Sequence, residues 1–182
     1  MHKEKKKNYR GNRLTDESQE FYCDIDAQFP AGTDISEIFI RLTRELQQFY
    51  PIKRGLLVTR EHGGTRFVAT ASFSEKKTRR NLSLRLPSTS SLFEKVAEGG
   101  TVYTEDCPEL LSGNSFERNL LLDADTQAVA LQPLKHEGQV VGILGYSSDQ
   151  PFAFAIFEEG LLDTIAEQFA ARIAAAPSTQ TK

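Results

Sequence analysis

The chain has 182 residues, 39% of them apolar and 26% charged, with a formal net charge of −3. Such a length suits one ordinary domain with tails and can bury roughly 70% of the surface that its unfolded form exposes. The acidic balance argues against a surface built for nucleic acid, two cysteines are too few for a disulfide framework, and no apolar run reaches the length of a membrane span. A basic start without a following apolar segment is not a secretory signal, so the expected setting is the cytoplasm, with Cys23 and Cys107 reduced.

Residues 1–19 open on Lys3-Glu-Lys-Lys-Lys7. Blocks of like charge resist packing, which predicts a disordered, solvated tail; nothing aromatic or amphipathic accompanies it to suggest a nucleic-acid or lipid arm. Phe21, Tyr22, Ile25 and Phe29 predict that the next segment docks on the domain as an extra helical turn or strand. A helix is predicted over Asp34–Phe49. Asp34 and Glu37 have capping-box spacing, and Ile35, Ile38, Leu42, Leu46 and Phe49 form one apolar stripe. Pro51 stops it.

A meander of three antiparallel strands is expected next: Arg54–Arg60, Thr65–Phe73 and Asn81–Leu86, with Leu82, Leu84 and Leu86 alternating against polar partners. The turn between the first two is Glu61-His-Gly-Gly64, and Ser74–Arg80 is the second connector. Ser91 and Glu94 suggest a capping box for a short helix that Gly99-Gly100 ends. Val102-Tyr-Thr104 is a short strand, and Phe116–Leu122 a helical piece within an irregular stretch. Ala128–Leu134 and Val140–Tyr146 then read as a hairpin across Lys135–Gln139. Neither run alternates strictly, so both are expected to be central strands covered on two sides, with Pro133 where its strand leaves the sheet or faces an unpaired edge. Phe154–Ala175 is predicted as one last helix with Phe157, Leu161, Ile165, Phe169 and Ile173 on its stripe. No repeat or linker divides the chain, which gives one domain over 20–176 and a polar tail, 177–182.

This order of elements, with the "Val-Ala-Leu-Gln-Pro-Leu" strand, the "Gly-Gln-Val-Val-Gly-Ile-Leu" strand and the helix "Leu-x-x-Ile-Ala-x-Gln-x-Ala-x-x-Ile" over Leu162–Ile173, resembles a GAF domain across Asp34–Ala175. The resemblance implies an α+β fold: an antiparallel sheet of about six strands, the N- and C-terminal helices on one face, and an arch of short helices and loops, residues 87–126, over the other. It also implies a regulatory module that takes a small molecule beneath the arch and dimerises through its terminal helices or meets a signalling partner. Phe93, Thr104, Asp106, Cys107, Phe116 and Leu120 are the expected lining residues, for a ligand whose identity the residues do not name.

The special chemistries of the family find few of their residues here. Haem or a metal needs inward-facing ligands, whereas His62 and His136 fall in predicted turns, so neither is assigned. Cys107-Pro-Glu lacks the surroundings of a bilin attachment site, and the cysteines of free methionine sulfoxide reductase are missing. The Asn-Lys-x-x-x-Phe-x-x-x-Asp-Glu motif of cyclic-nucleotide binders is absent too. Asp106 and Glu109 flank Cys107, a setting opposed to a reactive thiol. There is no Gly-x-Ser-x-Gly, P-loop or Gly-x-Gly-x-x-Gly. The expected role is therefore non-catalytic, with no nucleic-acid or membrane partner. The alternatives are a ligand-free interaction or dimerisation module, and a small-molecule redox enzyme on the same fold. Pro177 interrupts the last helix, so in a chain that is a whole protein a signal is expected to leave through a dimer or partner surface, the alternative being a piece of a longer signalling protein.

Overall fold

A computed structural model describes residues 21–177. The predicted basic tail, 1–19, and residues 178–182 lie outside them. The chain forms α1 (Ile25–Gln28), α2 (Ile35–Leu46), β1 (Arg54–Arg60), β2 (Phe67–Ser74), β3 (Thr78–Arg79) and β4 (Leu84–Arg85). There follow α3 (Leu92–Gly99), β5 (Tyr103–Glu105), α4 (Ser115–Leu121), β6 (Ala128–His136), β7 (Gln139–Ser148), α5 (Ala155–Glu158) and α6 (Asp163–Ala175).

All strands pair antiparallel in one sheet of order β3-β2-β1-β7-β6-β5, with β4 also against β2. The predicted hairpin is β6–β7, running from Ala128 opposite Ser148 to His136 opposite Gln139. Its strands are central, and every residue from Ala128 to Leu134 is buried whichever way it points. That is why the sequence shows an unbroken apolar run rather than an alternation. The β5 ladder covers only Val129–Leu131. Beyond it β6 has an open side, which tolerates the missing N–H of Pro133.

The two faces carry two cores. Ala128, Ala130, Leu134, Leu144 and Tyr146 point to the helix side, against Phe39, Phe157 and Phe169. Val129, Leu131 and Ile143 point to the arch side, against Leu92, Phe93 and Leu121. Strand β2 serves both. Leu57 pairs with Ala71 and Val58 with Ala69, so Thr70 is an extra residue at a bulge. One alternating sequence thereby sends Ala71 and Phe73 to the helix side and Phe67 and Ala69 to the arch side, since a bulge resets which way the pleat faces.

The fold class is the expected one, with three changes of detail. The third meander strand is not continuous. Only Thr78–Arg79 and Leu84–Arg85 pair, which makes seven strands, and Leu84 is exposed while Leu86 is buried. Asn81 adopts φ 51, which interrupts extended pairing between them, and its N–H donates to Ser36 Oγ at 3.2 Å. The last helix is broken. Gly160, at φ +91, turns the chain between α5 and α6, a conformation that glycine takes without steric cost. The first helix ends at Leu46 and gives way to turns through Tyr50, leaving Phe49 46% exposed and packed edge-on against Phe21.

The segment before α2 docks as a helical turn, α1, with Ile25 and Phe29 buried. It is fastened by α6. Gln168 Oε1 accepts from Ile25 N–H at 2.8 Å, and the Arg172 guanidinium donates to the carbonyls of Phe29 and Pro30. Among the described residues no helix is long and apolar enough to cross a membrane.

Candidate functional site

The arch is built from capped helices held together by one buried acid. Ser91 Oγ accepts from Glu94 N–H at 3.1 Å and starts α3, and Gly100 in the left-handed region ends it. The reciprocal capping box expected there does not form, because the Glu94 carboxylate pairs with Arg60 at 3.3 Å. A complete box occurs instead on α4, where Asn114 Oδ1 accepts from Glu117 N–H at 3.0 Å and Glu117 Oε2 accepts from Asn114 N–H at 3.3 Å. That carboxylate, fully buried, also accepts from Leu92 N–H at 2.8 Å and from the hydroxyl of Ser91. Helix α3 therefore offers its unpaired first-turn donors to a side chain of α4. Gly113 makes room for it. A Cβ there would lie 2.6 Å from Glu117 Oε2.

The six predicted lining residues do not share one wall. Phe93 is fully buried in the arch-side core and meets the Phe67 ring edge-on at 6.4 Å, and Phe116 and Leu120 are half-buried against the same core. Thr104 points the other way. It pairs with Ala130, whose side chain is on the helix side, and its hydroxyl donates to Glu158 of α5. The alternation of β5 assigns the arch side to Tyr103 and Glu105 instead. Asp106 is exposed, and half-buried Cys107 begins the tight turn at Pro108–Leu110, its N–H on Glu105 Oε1 at 2.9 Å. Periodicity read through Val102-Tyr-Thr104 could have separated Thr104 from Tyr103; nothing in composition marked Glu117 as buried.

Three clefts of about 700, 500 and 410 Å3 open elsewhere on the surface, and none is lined by any of the six residues. The largest gathers Arg44, Lys53, Lys76 and Lys77 at the tip of the β2–β3 turn. Lys53 is neutralised there by Glu75 at 2.7 Å and Asp149 at 3.9 Å. His62 is exposed in the β1–β2 turn, while His136 is the last residue of β6. Among the described residues no three His, Cys, Asp or Glu side chains come together as metal ligands.

The sequence model of the GAF domain family matches residues 34–173. The chain belongs to that family. No curated protein sequence matches it. Among solved structures it is similar to the GAF domain of a two-component sensor histidine kinase from Bacillus halodurans, at 13% identity and TM-score 0.62, over 76% of this chain and 92% of that one. It is also similar to the GAF domain of a phosphoenolpyruvate-protein phosphotransferase from Coxiella burnetii, at 22% identity and TM-score 0.58, over 79% and 84%. A third likeness is to a type II free methionine-R-sulfoxide reductase from Thermoplasma acidophilum, at 19% identity and TM-score 0.56, over 77% and 95%. At such identities the likeness is one of fold, shared by a sensor kinase, a phosphotransferase and a reductase.

Burial raises the pKa of two acids of the helix-side core, Cys23 and Tyr146. Burial, with Glu45 and Asp24 nearby, pushes the Cys23 thiol up to about 11, against a partial opposing pull from Arg41. Burial pushes the Tyr146 phenol well above its ordinary range, partly offset by its 3.3 Å contact with Thr43 Oγ1. Both groups hold their protons more tightly folded than unfolded, so the folded form binds more protons; the Cys23 contribution to stability is lost as pH rises from about 9 through about 11, and that of Tyr146 at higher pH. Urea titrations across that window should show a falling midpoint for the wild type and a flatter profile for Cys23→Ala. Identical slopes would remove Cys23 from this account.

Proposed function

We propose that this GAF domain is a non-catalytic regulatory module that admits a small molecule between the sheet and the 87–126 arch. In this reading the terminal helices α2 and α6 pass the event to a second copy or a signalling partner in the cytoplasm. The observation that carries it is how the arch is attached. Among the described residues its backbone pairs with the sheet only through the three residues of β5, while Glu117 ties its two helices to each other. A lid so joined is held to the sheet chiefly by side-chain packing, and a ligand preferring a raised arrangement shifts its population.

A second reading, a ligand-free interaction module, is favoured by the filled space beneath the arch, where Phe93, Leu121, Leu131 and Ile143 are all buried. One experiment separates the two. Thermal denaturation with a broad panel of nucleotides and small metabolites should give at least one saturable rise in midpoint, accompanied by changed hydrogen exchange across 87–126. A flat panel together with a stable dimer in light scattering would replace the first reading with the second.

A further inference from the structure

Phe21–Pro30 precedes the part of the chain that matches the GAF family and lies along the groove between α2 and α6. It runs antiparallel to α2. Phe21 packs edge-on against Phe49 just past the end of that helix, Cys23 has Glu45 and Arg41 as charged neighbours, and the Phe29 ring carries the Arg41 guanidinium at 4.5 Å. On the other wall, Gln168 accepts from Ile25 N–H and donates to the Asp24 carboxylate. One turn further along α6, Arg172 donates to Asp26 and to the carbonyls of Phe29 and Pro30. Phe21, Cys23, Ile25 and Phe29 are buried in this groove. Among the described residues, every hydrogen bond that the segment makes outside itself and its own turn goes to the side chain of Gln168 or Arg172.

The segment is a strap, and the turn Pro30–Thr33 is what folds it back onto its own domain. Thr33 N–H donates to the Pro30 carbonyl at 3.1 Å, and Gly32 takes φ +85, as the third residue of a type II turn requires. Nothing in the groove distinguishes which copy supplies the strap. Two chains that straighten this turn and trade straps keep all of these contacts and give up only the turn. We propose that the α2–α6 groove docks the strap of a second copy, so that two chains associate by reciprocal exchange of Phe21–Pro30. This deepens the reading of α2 and α6 as the surface that meets a second copy, and it does not depend on the arch binding anything. The short tether presents the strap to its own groove at an effective concentration on the order of millimolar, so exchange answers to protein concentration and to strain in the turn.

Gly32→Val isolates the turn. A Cβ at Gly32 meets nothing within 4 Å, so the substitution strains only the left-handed backbone of the closed form, and an extended hinge is free of that strain. Light scattering from micromolar to millimolar protein should show Gly32→Val dimerising at a concentration roughly tenfold lower than the wild type, with an unchanged circular dichroism spectrum. Charge exchange then tests what holds the dimer. In the Gly32→Val background, Asp26→Arg sets two cations together on one chain, and Arg172→Glu sets two anions together on another. In an exchanged heterodimer each strap meets the opposite charge, so the mixture should hold several-fold more dimer than either variant alone. Gly32→Val that stays as monomeric as the wild type overturns the proposal. So does a dimer indifferent to the charge exchange, which would mean direct pairing of the helices and leave the reading of α2 and α6 standing.

Discussion

Phe93→Ala is expected to destabilise the domain by about 3–5 kcal/mol, the usual cost of emptying a fully buried aromatic site. The ring is completely enclosed and packs edge-on against Phe67, which itself carries the Arg60 guanidinium 4.3 Å from its centroid. Removing the ring loses its transfer energy and leaves a void that Leu92, Val96 and Leu131, themselves buried, cannot readily collapse to fill. For a domain of this size the thermal midpoint should drop by on the order of 10 °C. Phe93→Leu, which refills most of the volume, should lose about 1–1.5 kcal/mol. The new void is lined by hydrocarbon and stays dry, so benzene should raise the midpoint of Phe93→Ala and leave the wild type unmoved. These outcomes bear directly on how the arch works. A residue held ready for a ligand would cost little to truncate, and a loss below about 1 kcal/mol would restore Phe93 as a contact residue rather than a core one.

The sheet could be read from the sequence because its signals are local and strong. Ala128–Leu134 and Val140–Tyr146 are apolar on both faces, the connector contains Gly138 at φ +77, and Pro133 marks where the β5 ladder stops. The failures have physical causes of the opposite kind. Leu82, Leu84 and Leu86 alternate as a strand should, but Asn81 takes a left-handed conformation tied to α2 through Ser36, a long-range contact that overrides local pattern. The stripe from Phe157 to Ile173 has helical spacing throughout, yet Gly160 breaks it. The break lets Phe154 and Phe157 turn inward, 5.2 Å apart, with Phe157 edge-on to Tyr146. A glycine inside a helical pattern was the visible warning. The site was less legible than the fold. Which face a three-residue strand presents depends on its register with β6, and that register placed Thr104 away from the arch. The capping box Asn114-x-x-Glu117 is plain in the sequence, whereas its burial against a second helix is a tertiary fact that spacing does not encode.

Glu117→Ala should cost about 2–4 kcal/mol, because it strands buried donors as well as removing hydrogen bonds to a charged group. The Leu92 N–H loses a 2.8 Å partner, the Ser91 hydroxyl loses its acceptor, and the Asn114 N–H loses the reciprocal half of its cap. No lysine or arginine pairs with this carboxylate among the described residues, so what holds it in an apolar layer is the first turn of α3. Glu117→Gln keeps the shape and one acceptor and should lose less, since the Ser91 hydroxyl can rotate to accept from the new amide. Ser91 also caps α3, which makes a double-mutant cycle informative. Ser91→Ala and Glu117→Ala should be non-additive by about 1 kcal/mol or more, as expected for members of one network. Hydrogen exchange should accelerate across 87–126 and leave β6 and β7 protected, because the acid joins α3 to α4 and does not touch the central strands. Slower exchange in the arch, or loss of protection spread evenly over the sheet, would show that Glu117 does not tie the arch helices together.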